Sequence, residues 1–433
     1  MRTISVPSVC LAFLLPVGGL FAQTSWKGED ILIKREDVSF LDEATKKPKT
    51  VSSVSCRVLE EEGTRLRVST LDGNGWIEKA DAVLLKDAVP FFSKLIDAKP
   101  AEADFYNRRG VALKLQGDFD NAIKDFSEGI RLAPNSSGSW GNRGAVRLLQ
   151  NDLTGAIRDL TESIRLSPTA FSLQARAECW RKAKEFDKAI ADLTEAIKLR
   201  PADSMLFRSR GFVWGSLKNV DKSIDDYTEA IRLDPQDGLS LNARGFAWED
   251  KKDFEKALAD FEKALKLNPS SHLALSGRGR VLANLKRTEE AIADYTAYLR
   301  LRPISPLIFA ARADLFVRLR DYPKAVADYE HAIDLERAPA HVAGLAWLLA
   351  TCPDAKIRDG KRASKLASEA LAKAGEPYWW YLEVCAAAAA ESGNFTKAVI
   401  LQEAVLAERA YTGGDAGRAR LKLYKAGKAF HMD

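Results

Sequence analysis

One phrase dominates this chain. "NAIKDFSEGIRLAP" at residues 121–134 returns as "GAIRDLTESIRLSP", "KAIADLTEAIKLRP", "KSIDDYTEAIRLDP", "KALADFEKALKLNP" and "EAIADYTAYLRLRP". Aligned on their small residues, Gly110, Gly144, Ala177, Gly211, Gly245, Gly279 and Ala313 fall 33 or 34 residues apart. Ala122, Ala156, Ala189, Ser223, Ala257, Ala291 and Ala325 each follow by twelve. Prolines at 134, 168, 201, 235, 269 and 303 close six of the units. A fixed period of this length belongs to stacked supersecondary units, none of which can bury its apolar face alone. With 433 residues, 46% of them hydrophobic and 29% charged, the chain is globular and built as an array.

Counting each unit so that its first small residue is eighth, two further columns stand out. Column 7 is Arg109, Arg143, Arg176, Arg210, Arg244, Arg278 and Arg312; column 23 is Asp125, Asp159, Asp192, Asp226, Asp260, Asp294 and Asp328. In a later, degenerate unit the same places hold Cys385 and Leu401, so both charges vanish together. This joint loss implies contact, because an arginine fork meets a carboxylate through two parallel hydrogen bonds. Column 24 is bulky throughout, from Phe126 to Tyr329, and is expected to wedge between neighbours.

The small residues at columns 8 and 20 and the proline at 32 resemble the tetratricopeptide repeat, a pair of antiparallel helices. The resemblance covers seven units over 103–337, two degenerate units over 338–408, and a capping helix and tail at 409–433. It implies a mainly α fold, a right-handed α-solenoid, whose function is usually recognition of a peptide or partner protein on the concave, first-helix side. On that side column 2 turns apolar in five successive units, Phe171, Met205, Leu239, Leu273 and Leu307, and column 9 adds Phe212 and Phe246. These residues, with Arg208 and Arg280 placed to hold acidic groups, are the candidate partner-binding groove. Apolar residues at helical spacing are as readily core, and the groove requires that this stripe be exposed.

Residues 25–88 lack the helical period. "DILIKR", "SSVSCRVLEEEG", "TRLRVST" and "GWIEKADAVLL" read as strands, with a hairpin at Glu62-Gly63 and a turn at Asp72-Gly73-Asn74-Gly75. The last segment resembles the closing strand and one-turn helix of bacterial SH3-like barrels, which implies a small all-β module that binds an envelope component or caps the solenoid. Residues 89–102 are expected to link it to the repeats, as the second half of a truncated unit.

Lys+Arg number 65 against 60 Asp+Glu, interleaved, a formal charge of +5. No basic footprint for nucleic acid emerges. The four histidines form no ligand pair, and no glycine-rich phosphate loop or nucleophile triad is present. The sequence therefore gives no basis for an enzyme, a cofactor or a metal site, and points to a protein or peptide partner. The N-terminal apolar run is too short to span a bilayer, and no other segment is long enough to cross a membrane. Cys56, Cys179, Cys352 and Cys385 are scattered and read as buried thiols. Arg2, the apolar run Val9–Leu15, the breakers Pro16, Gly18 and Gly19, and "LFA" before Gln23 read as an export signal over 1–22. A mature chain of periplasmic or secreted type should therefore begin at or near Gln23. N-terminal sequencing of the protein from its native host checks this, and an intact Met1 on an exported form refutes it.

Overall fold

The computed structural model describes residues 25–35, 38–51, 55–70, 73–375, 378–408 and 411–432. The expected signal at 1–22 lies outside them. The chain divides into two compact units, 1–196 and 197–433.

The first unit opens with an all-β module. Strands β1 (Asp30–Ile33), β4 (Ser55–Glu62), β5 (Arg65–Thr70), β6 (Gly73–Glu78) and β7 (Ala82–Leu84) form an antiparallel sheet in the order β6-β5-β4-β1-β7. A single 3-10 turn, Lys79–Asp81, joins β6 to β7. The β4–β5 hairpin turns at Gly63, whose φ of 59° lies in the left-handed region that favours glycine. The expected turn at 72–75 is corrected over its described part: Gly73 to Gly75 are already strand β6, and residue 72 lies outside the described residues. Gly75 is small because Phe40 lies against it, 2.1 Å from where a Cβ would stand. Phe40 belongs to a hairpin of β2 (Ser39–Leu41) and β3 (Pro48–Thr50). Its strands are too short for alternation to betray them.

Helix α1 (Leu85–Ala98) starts four residues before the expected linking segment. It carries Ala88, Phe92 and Ser93 where a repeat has its column 20, 24 and 25 residues, and Ala88 and Phe92 are buried. Leu32 and Val83 of the sheet share one core with Ala88, Phe92 and Val111. The buried Arg108 donates to the Ile33 carbonyl at 2.5 Å, tying the sheet to the first repeat. The pairs α2 (Ala103–Leu115) with α3 (Phe119–Leu132), α4 (Ser137–Leu149) with α5 (Leu153–Leu166), and α6 (Ala170–Lys182) with α7 (Phe186–Leu199) follow.

The second unit stacks α8 (Ser204–Ser216) with α9 (Val220–Leu233), α10 (Gly238–Asp250) with α11 (Phe254–Leu267), α12 (His272–Asn284) with α13 (Thr288–Leu301), and α14 (Pro306–Arg318) with α15 (Tyr322–Leu335). The degenerate pairs α16 (Pro339–Thr351) with α17 (Gly360–Lys373) and α18 (Trp379–Glu391) with α19 (Phe395–Ala407) come next, and α20 (Gly414–Lys425) packs on α19. The ring at column 24 explains the small residues. A Cβ on Gly245 would stand 2.8 Å from Phe261 of its own repeat, and one on Gly277 would stand 2.4 Å from the same ring reaching from the repeat before.

All seven Arg–Asp pairs form. Each is bidentate and closes within one repeat, as in Arg244 Nε to Asp260 Oδ2 at 2.8 Å and Nη2 to Oδ1 at 2.7 Å. The others match it. The aspartate side chains are at most 9% exposed. A third bond crosses to the preceding repeat. Nη1 of Arg143, Arg176, Arg244 and Arg312 donates to Ser127, Thr161, Thr228 and Thr296 at 2.9–3.1 Å, and Arg109 does the same to Ser93 of α1. Each hydroxyl stands at column 25.

The turn inside each repeat uses one left-handed residue at column 15. It is glycine at Gly117, but Asn151, Lys184, Lys218, Lys252, Lys286 and Arg320 elsewhere, with φ of 57–62°. At Lys252 the bonds Asp253 N–H to Trp248 O and Lys252 N–H to Glu249 O close the end of α10, the usual helix-ending pattern.

Two outcomes follow. Arg244→Leu, which strands a buried carboxylate, should cost about 3–5 kcal/mol, and adding Asp260→Leu should recover much of it; a double-mutant cycle by denaturant unfolding reads the coupling, and additive losses refute it. Lys252→Gly should raise stability by about 1 kcal/mol by relieving the left-handed backbone, measured the same way, with a loss as the refuting result.

Candidate functional site

The stripe at column 2 is solvent-facing. In the second unit Met205 is 50% exposed, Leu239 57%, Leu273 41% and Leu307 71%, and Phe212 adds 53%. These are first-helix residues of four consecutive repeats, on α8, α10, α12 and α14. Each sits one residue into its helix, beyond the capping residue. Asp237 shows how that start is fixed: its Oδ1 accepts from the backbone N–H of Leu239 and Ser240, at 3.0 and 3.2 Å. Phe171 holds the same place on α6 in the first unit and is also exposed.

Phe246 is different. It is half-buried, packed edge-on against Phe261 at 5.0 Å with the Arg280 guanidinium 5.4 Å above its ring. It packs against the buried core of its unit and stands apart from the exposed stripe.

The two arginines expected to hold a partner's acidic groups are instead committed within the fold. Arg208 Nη1 donates to Asp237 Oδ2 at 2.5 Å. Burial would push the Asp237 carboxyl up, but bonds from Ser240 and the Arg208 charge hold it below the ordinary aspartate value. Arg280 grips Glu249 of the repeat before through both Nε and Nη2, and the Glu249 carboxylate raises the Arg280 pKa. Both pairs link neighbouring first helices, so they fix the spacing of the stripe. The sequence could not show this, because the partners lie 29 and 31 residues away and neither Arg208 nor Arg280 has an arginine at its column in any other of the seven repeats.

On the other flank of the first helices the sequence hid a second motif. Lys188 stands 4.7 Å over Trp180, Lys222 4.2 Å over Trp214, Lys256 4.3 Å over Trp248 and Lys324 5.4 Å over Phe316. Each pairs column 19 with column 11 of one repeat, a cation–π contact.

Cys56, Cys179, Cys352 and Cys385 are buried free thiols. Burial pushes Cys179 and Cys385 up to about 11, which keeps them protonated at neutral pH. Among the described residues no group of three His, Cys, Asp or Glu converges to hold a metal ion, and no helix is long and apolar enough to cross a membrane.

Family models of the tetratricopeptide repeat match residues 103–136 and 249–306. Comparison with curated proteins gives no match. Similar solved structures include the C-terminal part of a TPR repeat-containing protein from Cytophaga hutchinsonii, at 18% identity over 55% of this chain and 99% of that one, with a TM-score of 0.47. A tetratricopeptide repeat protein from Parabacteroides merdae is 18% identical over 58% of this chain and 98% of that one, with a TM-score of 0.44. YrrB, described as a TPR protein with an unusual peptide-binding site, is 18% identical over 42% and 95%, with a TM-score of 0.38.

Proposed function

We propose that this chain is a non-enzymatic interaction scaffold that takes an extended apolar segment of a partner protein along the first helices of its second unit. The carrying observation is that Met205, Leu239, Leu273 and Leu307 recur at one column and are all exposed. An ordered row of large apolar side chains on a water-facing surface usually marks a partner site. Methionine and aromatic residues suit an adaptable one. Packed helices lie about 8–10 Å apart, and a chain extended as polyproline II rises about 3.1 Å per residue with three residues per turn, so every third side chain shares one face. A segment with an apolar anchor at every third residue therefore meets successive repeats in step. The Arg208–Asp237 and Arg280–Glu249 pairs set that step and leave recognition to the apolar side chains.

The apolar Val9–Leu15 run supports placing this scaffold outside the cytoplasm. The strand and one-turn order at Gly73–Leu84 supports an SH3-like reading of the β-module. The shared core with α1 and the buried Arg108 favour a capping role for that module over envelope binding.

The test is Leu239→Asp combined with Leu273→Asp, compared with wild type in a cross-linking pull-down from the native extract. Loss of the captured partner is expected, with the melting temperature held within about 2 °C, as for surface substitutions. Undiminished capture refutes the groove, and so does a fall of about 10 °C or more, which would make the stripe core.

A further inference from the structure

The last helix pair departs from the repeat at several columns, and two of these departures converge with one on the pair before. Column 7 is Cys385 where seven repeats have arginine. Column 11 is Ala389 where Trp180, Trp214, Trp248 and Phe316 stand in others. On the facing helix of the repeat before, column 21 is Ser364 where the seven regular repeats have isoleucine, leucine or valine. Three large side chains are thus trimmed around a single point. What remains is a cavity of about 180 Å³ lined by these three, by Ser368, Ser392 and Asn394, and by Lys397. Its floor, Cys385 and Ala389, is buried, while Ser368, Ser392, Asn394 and Lys397 form an exposed rim.

The fold itself shows what fits such a slot. Lys397 occupies column 19, the same column as Lys188, Lys222, Lys256 and Lys324, each of which lies over an aromatic ring of its own repeat. At this repeat the ring is replaced by the Ala389 methyl. The serine hydroxyls of the slot have partners for their protons: Ser368 donates to the Ser364 carbonyl at 2.8 Å, the Ala388 and Ala389 carbonyls accept from Ser364 and Ser392 at 3.0 Å, and the Ser364 and Ser392 hydroxyls also stand 3.2 Å apart, where either can donate to the other. A hydroxyl whose proton is already donated keeps acceptor capacity, which suits an N–H donor better than an anion.

We propose that this cavity receives the indole ring of a tryptophan on a partner protein, with Lys397 over its face and a serine oxygen accepting its N–H. The proposal is independent of the groove on α8–α14, since none of the cavity residues belongs to that stripe.

The test uses the full chain and N-acetyl-tryptophanamide, followed by saturation-transfer NMR. Ala389→Trp restores the ring from inside, and Ser364→Ile closes the slot from the opposite wall. Each should weaken probe binding about tenfold or more, and Lys397→Ala, an exposed position, about fivefold. The melting temperature of Ala389→Trp should equal or exceed that of wild type. Probe binding unchanged by Ser364→Ile and Lys397→Ala overturns the site. So does displacement of the probe by inorganic phosphate, which would make it an anion site.

Discussion

Everything regular in this molecule hangs on a guanidinium. In each of seven repeats an arginine forks onto a buried aspartate of the partner helix, and in at least five its remaining nitrogen reaches a hydroxyl one helix back. A buried pair of this kind adds little net stability over well-packed apolar residues. What it adds is geometry. Apolar helix faces tolerate sliding by a turn, whereas two parallel N–H···O bonds do not. A buried aspartate tolerates only the register that meets its arginine. The ring at column 24 can then be large and column 8 small, because the approach of the two helices is already set.

This constraint also positions the candidate site. The stripe from Met205 to Leu307 is straight in register because the repeats beneath it are locked one by one. The added pairs Arg208–Asp237 and Arg280–Glu249 brace neighbouring first helices where the stripe is most apolar. An exposed apolar row costs solubility, and it persists here on a rigid frame that keeps its side chains from collapsing inward. The proposed scaffold role needs little more than such a surface held still.

Much of this was legible from residues alone. The period gave the helix pairs, and the matched loss of charge at Cys385 and Leu401 gave the Arg–Asp contact. Other features were hidden for definite reasons. The hydroxyl at column 25 is a serine or threonine on a helix, a residue type that carries no signal without its partner's position. Arg208 and Arg280 looked free because their acids lie a full repeat away. The β2–β3 hairpin escaped because three-residue strands show no alternation, and Gly75 read as a turn although it is glycine for Phe40's sake. The cavity under Lys397 emerges only when its three trimmed positions, separated by up to 25 residues, are seen to face one another.

The way the arginine bonds are divided has a consequence for descent. Two of its contacts close inside one repeat, and the third, where it forms, asks only for a hydroxyl at column 25 of whatever precedes it, a place that Glu262 takes ahead of Arg278. A duplicated segment that carries serine or threonine at column 25 therefore arrives with its own lock and with the single group its successor requires. Such a gene can lengthen by copying without a compensating change elsewhere. A copy freed from the register, as the one carrying Cys385 and Leu401 has been, becomes raw material on which selection can carve a pocket.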